Sequence, residues 1–283
     1  MAQLSTFLGV RTSYRIINTQ VFTANGTWTK PTNAAYVRVV LCGGGGSGRR
    51  PAANATDPSA GGSAAPIVEW YFPAASLGST ESITVGAGGA AITATNTDGN
   101  GGGYSSFGAF LEGLGGNGGG NNTSTIVPWT NSHPTAFWPP DNINRRDVYM
   151  PGASRVFYGG YDGAVRWVGG GGGTSGDIYT SSAGRAGGAA NRYRAEYTYS
   201  NGGTAGTAGG ATGGNGGAGA AGDIRAMIGG AGGGGGGSGT TTGGAGGAGG
   251  ACGGGGGAGG HGVTTSGNSG AGGRGEVYVE TWG

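Results

Sequence analysis

After residue 200 glycine returns with a period of three. Gly243-Gly244-Ala245, Gly246-Gly247-Ala248 and Gly249-Gly250-Ala251 are consecutive triplets, and Gly213-Gly214-Asn215 with Gly216-Gly217-Ala218 forms a second array. More than half of residues 201–275 are glycine. An α-helix is disfavoured there, at about 1 kcal/mol per glycine relative to alanine, and a strand would have little side chain to pack. The period matches an extended threefold helix rising about 3.1 Å per residue. Collagen shares that period but needs proline throughout, whereas all ten prolines lie at or before Pro151. In a GGx repeat two sides of the helix are bare and the third carries Ala, Asn or Thr. Bare sides let neighbouring backbones approach until N–H reaches C=O between helices, bonds that an isolated helix of this kind cannot make. The array is therefore read as a packed lattice of polyglycine-II helices.

Composition decides between that lattice and disorder. Glycine makes up 77 of 283 residues, which on its own suggests a disordered chain. A net charge of only +2, with 6 Trp, 12 Tyr and 7 Phe, opposes it. No run of 18 apolar residues occurs, so no membrane-spanning helix is expected. The first residues lack the basic and apolar pattern of a secretory leader. Fifteen basic and 13 acidic residues, without a basic block, argue against a nucleic-acid partner. Cys42 and Cys252 stand far apart with no metal-binding spacing. They are read as two reduced thiols, a disulfide being the alternative.

Strand patterns flank the glycine. Ala35 to Cys42 sets Tyr36, Arg38 and Val40 against Val37, Val39 and Leu41, as in a sheet covered on both faces. Pro66 to Phe72 and Glu81 to Val85 look similar. Glu276 to Trp282 places Val277 and Val279 on one face and Glu276, Tyr278, Glu280 and Trp282 on the other. Asn25-Gly26, between Val21-Phe22 and Thr27-Trp28, reads as a hairpin turn. The expected fold is mainly β with little or no helix. Short strands lie at both ends, packed threefold glycine helices form the core, and long irregular loops interrupt it. Four stretches follow: 1–19, a β- and glycine-rich scaffold at 20–120, aromatic-rich insert loops at 121–200, and a glycine-helix array at 201–283 closing in a strand.

These landmarks carry a resemblance. Phe22 to Pro31 (FTANGTWTKP), Tyr36 to Val39, Gly43 to Gly46, Thr84 to Gly89, Gly102 to Gly108 and Gly272 to Val279 occur in an order similar to the glycine-rich domain of bacteriophage tail fibres. The likeness covers residues 20 to 283, with unlike inserts between landmarks. It implies a tail fibre or tail-tip adhesin located in the virion and assembled in the host cytoplasm, with residues 1–19 as the virion-attachment segment. It also implies homo-oligomers, a homotrimer above all, and partners among other tail or baseplate proteins. The receptor would be a host cell-surface glycan or outer-membrane protein. No heptad pattern or long shaft precedes the domain.

The inserts hold the candidate recognition residues. Residues 126–168 contain Trp129, Phe137, Trp138, Tyr149, Phe157, Tyr158, Tyr161 and Trp167, with five prolines that stiffen irregular loops. Residues 178–199 add Tyr179, Tyr193, Tyr197 and Tyr199 beside Arg192 and Arg194. Aromatic faces suit sugar C–H surfaces and flat protein epitopes, and arginine suits carboxylates or phosphates of an envelope polysaccharide. A local mini-core is the competing reading of the same aromatics.

Catalysis finds little support. There is no GxSxG or HExxH, and His133 reads as a loop residue. Asp141, Asp147 and Asp162 could serve as glycosidase acids, which keeps a polysaccharide depolymerase open beside a purely structural virion component. Gly86 to Ala91 satisfies GxGxxA without a following helix. Asn96 to Gly101 resembles half of a calcium loop but has Phe107 at the twelfth position, and reads as a turn. No enzyme activity, cofactor or metal is expected.

Overall fold

The computed structural model describes residues 14–55, 58–120, 165–176, 183, 190–191, 198–200 and 202–283. Its strands are β1 (Ile16–Phe22), β2 (Gly26–Thr29), β3 (Tyr36–Cys42), β4 (Pro66–Pro73), β5 (Thr80–Thr84), β6 (Ser105–Phe107), β7 (Leu111–Gly113), β8 (Val165–Val168), β9 (Ala190–Asn191), β10 (Thr198–Ser200) and β11 (Glu276–Trp282). One antiparallel sheet has the order β1-β11-β3-β4-β8 and a second the order β2-β5-β6-β7, while β9 and β10 pair separately. Among the described residues, helical structure is confined to 3-10 turns at Ala74–Ser76 and Ile224–Ala226. The mainly β expectation holds.

The alternating patterns of β3 and β11 set the core. Their register places Val277 opposite Leu41, Val279 opposite Val39, and Thr281 opposite Val37. That face meets Trp28, Ile83 and Phe107 of the second sheet. Phe107 stacks on Phe72 at 6.0 Å and tilts against Trp28 at 5.5 Å, pairs worth about 0.5–1.5 kcal/mol each beyond their buried area. The opposite face of the first sheet is covered near the lattice by Ile224 and Met227, which pack with Val40, Cys42, Ile67, Cys252 and Tyr278. Both faces of β3 are thus covered, as its sequence requires.

The Asn25-Gly26 hairpin does not form. β1 pairs with β11 and β2 pairs with β5, so the chain crosses between sheets at Thr23–Asn25. The seven-residue β11 offers β1 a ladder from Ile16–Trp282 to Phe22–Val277, far longer than β2 could provide. Asn25 instead accepts the Val85 N–H at its side-chain oxygen (2.8 Å). The β6–β7 hairpin, turning through Gly108 at φ +51°, carries no alternating pattern and was legible only as part of a landmark.

Between the sheets and the far end runs a set of extended glycine-rich segments. Their hydrogen bonds recur every third residue. Gly213, Gly216, Gly219 and Gly222 donate to Thr242, Ala245, Ala248 and Ala251, and Gly230, Gly233, Gly236 and Gly239 donate to Cys252, Gly255, Ala258 and His261. These partners run parallel. Consecutive segments run antiparallel, as where Gly244, Gly247 and Gly250 donate to Gly237, Gly234 and Ala231. The chain therefore zigzags between neighbouring layers, each segment beside the one two earlier.

The run Gly232–Gly237 shows why glycine is required. Side chains on Gly232 and Gly235 would meet the carbonyls of Gly171 and Thr174. Those on Gly233 and Gly236 would meet Gly247 and Gly244, and those on Gly234 and Gly237 would meet Thr204 and Thr207. Positions three apart face the same neighbour, and all three sides of this segment are occupied by backbone. In residues 243–250 only two sides are occupied, and Ala245 and Ala248 point outward, half-buried and exposed respectively. Segments from the two ends of the chain interleave, since Gly45 donates to Gly273, Gly48 to Gly270, and Gly256 to Gly46.

Candidate functional site

The molecule has two unlike ends. At the sheet end β1 and β11 bring the described termini together, with Arg15 and Gly283 exchanging backbone hydrogen bonds at 3.1 and 3.0 Å. At the distal end the lattice segments turn at residues 210–212, 240–242 and 263–265. Thr212, Thr242 and Thr265 bridge in parallel there, and Ala211, Thr240, Thr241, Val263 and Thr264 are exposed. Gly120, where the chain leaves toward the first insert, lies at this end, its carbonyl accepting from Ala60. Gly176, the last described residue before the second insert, donates to Gly236, one triplet short of the distal turn.

Two buried arginines brace the distal loops. Arg50 is bridged backbone to backbone with Thr97, and its guanidinium donates to the Thr93 carbonyl and to the Ser266 hydroxyl and carbonyl (3.1 and 3.0 Å). Arg49 donates to Asp98 Oδ1 (2.9 Å) and Asn96 Oδ1 (2.6 Å). Those oxygens belong to two of the three side chains, Asn96, Asp98 and Asn100, that a calcium loop would have used, and a guanidinium already engages them. The expected turn covers only the start of this stretch: the chain turns at residues 94–96, and residues 98–101 run on as an extended lattice segment. Among the described residues, no group of three or more His, Cys, Asp or Glu could hold a metal ion.

Of the candidate recognition residues, Trp129, Phe137, Trp138, Tyr149, Tyr158, Tyr161, Tyr179, Arg192, Tyr193, Arg194 and Tyr197 lie outside the described residues, as do Asp141, Asp147 and Asp162. Trp167 falls on β8, its backbone opposite Ile67 at the edge of the first sheet.

The outer face of the first sheet carries a polar network that sequence reasoning did not single out. Arg38 donates to Glu69 (2.6 Å) and lies 3.7 Å from Glu280. Tyr278 O–H and Trp282 Nε1–H both donate to the Glu280 carboxylate (2.7 and 2.8 Å). Burial works against the Arg38 charge, but Glu69 outweighs it and holds the guanidinium above its ordinary value. Burial and the bond to Glu280 push Tyr278 up to about 12. Tyr14, Tyr36 and Tyr71 are exposed beside this network, Tyr14 meeting Tyr36 edge-on at 5.2 Å. The signal was present in the outward-facing register of Tyr36, Arg38, Glu280 and Trp282. It describes a structural ion network at the end that holds the described termini.

A two-sheet β end from which close-packed glycine segments project defines the class: a glycine-lattice scaffold. Residues 19–282 match the family model described as the glycine-rich domain, and the chain belongs to that family. No curated protein matches it.

Proposed function

We propose that this chain is a bacteriophage tail-fibre or tail-tip adhesin, a non-enzymatic virion protein whose aromatic inserts recognise the host envelope. The observation that carries the reading is the polarity of the molecule. Both described termini sit at the sheet end, suited to attachment, whereas Gly120 and Gly176 lead into the inserts from the distal part of the lattice. The chain re-enters at the sheet side, through β8 and through Gly203 beside Gly232, so the inserts are anchored along the flank of the scaffold. A scaffold with contacts fixed by backbone alone tolerates long, unrelated inserts at its turns, because its core does not depend on them. Hydrogen bonding at every third residue supports reading the segments as polyglycine-II helices. The aromatics named above, with Arg192 and Arg194, would contact an envelope glycan or outer-membrane protein. Single sites of this kind bind weakly, and copies in a homotrimer or across a virion raise effective affinity.

The test is adsorption of the purified protein to bacterial cells, with and without the first insert. The deletion should span residues 122–162, replaced by a glycine–serine linker, so that β8 and its pairing with β4 survive. Insert-dependent adsorption that blocks infection is the expected result. Normal adsorption without the insert, or incomplete particles from virus carrying the deletion, would move the assignment to a structural virion component. Glycan shortening that disappears with Asp141→Asn, Asp147→Asn and Asp162→Asn would make it a depolymerase.

A further inference from the structure

Cys42 and Cys252 lie 210 positions apart in sequence, yet both are fully buried with their sulfurs 2.7 Å from each other. Cys42 ends β3, and Cys252 occupies the turn where one lattice segment passes into the next. Cys252 also adopts φ +65°, a left-handed conformation that glycine takes without strain. Among the described residues, Cys252 shares this left-handed conformation with Asn33, Asn54, Asn96 and the neighbouring Met227. Its carbonyl accepts the Gly230 N–H (2.8 Å), so the turn is built into the lattice while the side chain reaches back to the sheet.

We infer that Cys42 and Cys252 are a redox modification site, at which a small disulfide compound converts the two thiols into a covalent staple between the sheet and the glycine lattice. One thiolate attacks the small disulfide, forming a mixed disulfide and releasing a first thiolate. The second cysteine attacks the protein sulfur of that mixed disulfide, closing the Cys42–Cys252 bond and expelling the second small thiolate. The two cysteine protons leave with the two expelled thiols, and the small disulfide takes up both electrons. Ile224 and Met227 cover the pair, and the contact to Cys42 together with burial holds the Cys252 thiol well above its ordinary value. The bond therefore closes during folding, or when the 223–228 turn lifts, rather than in the shut native state. This inference does not depend on the adhesin reading.

The experiment refolds the full chain, and separately incubates the native protein, with oxidised glutathione. Intact mass of the refolded chain should fall by about 2 Da, the two hydrogens lost on forming the bond, and the native protein should change far more slowly. Non-reducing peptide mapping should join the Cys42 and Cys252 peptides. The oxidised protein should unfold at least about tenfold more slowly than the reduced one. Cys252→Gly relieves the left-handed backbone, should fold, and should lose both the mass change and the redox dependence of unfolding. Two thiols still titratable in denaturant after refolding with the oxidant, or stable glutathione adducts in place of the intramolecular bond, would overturn the site. A bond that leaves the unfolding rate unchanged would overturn the staple.

Discussion

The Gly217 carbonyl stands where a side chain on Gly247 would have to go. The Gly247 N–H meanwhile donates to Gly234 (2.8 Å), so this glycine is held between two neighbouring segments at once. Ala248, one residue on, is exposed. Gly247→Val should cost more than about 3 kcal/mol, since backbone rather than a movable side chain must give way. Ala248→Val should cost less than about 1 kcal/mol. Denaturant unfolding midpoints of the two variants give the comparison, and equal small effects would remove the close-packed lattice.

Arg50 ties the distal loops to the lattice. Its guanidinium serves the Thr93 and Ser266 carbonyls and the Ser266 hydroxyl, and the residue is almost fully buried. Arg50→Met keeps the stem but leaves these acceptors without their donor, at about 2–4 kcal/mol. The effect should concentrate at residues 93–98, with faster hydrogen exchange at the Thr97 amide, which donates to the Arg50 carbonyl. Unchanged exchange there would mean that the loop is held by backbone pairing alone.

The lattice was legible because its constraint is steric and repeats locally. Unbroken runs such as Gly232–Gly237 mark a segment enclosed on all three sides, and the GGA triplets from Gly243 mark one with a side facing out. Strands β3, β4, β5 and β11 were legible from alternation. The partner of β1 was not, because Asn25-Gly26 satisfies a hairpin locally while the choice of β11 depends on a strand more than 250 residues away. The distal bracing was also hidden, since nothing adjacent to Arg49 in sequence indicates Asn96 and Asp98 as its acceptors. Apart from Trp167 on β8 and Tyr199 on β10, the candidate recognition residues lie outside the described residues, so the site was legible only as composition.

Glu276 gives the fold an acid-side dependence. Burial raises its carboxyl above the ordinary 4.5, and the Arg274 guanidinium at 2.8 Å offsets this only in part. The folded state therefore binds the proton more tightly than the unfolded chain. This contribution to stability is fully present below the ordinary carboxylate value and is lost as pH rises through the raised one. Glu276→Gln should be more stable than the wild type at neutral pH, with the difference shrinking as pH falls. Chemical unfolding of both proteins at several pH values tests it, and a difference that grows on acidification would reverse the assignment.

Tyr278 sets the corresponding limit at high pH. It is buried, and its O–H donates to Glu280 Oε2 (2.7 Å), so its ionisation is pushed up to about 12 from an ordinary 10.0. Between those values the unfolded chain releases the phenolic proton while the folded chain keeps it. The stabilising contribution is complete below pH 10 and disappears as pH approaches 12, a loss on the order of 2–3 kcal/mol. In Tyr278→Phe the hydrogen bond is gone at every pH and this loss is absent. The stability gap between wild type and variant should therefore narrow, and can change sign, across that window. A gap that stays constant from pH 10 to 12 would show that the phenol ionises alike in both states.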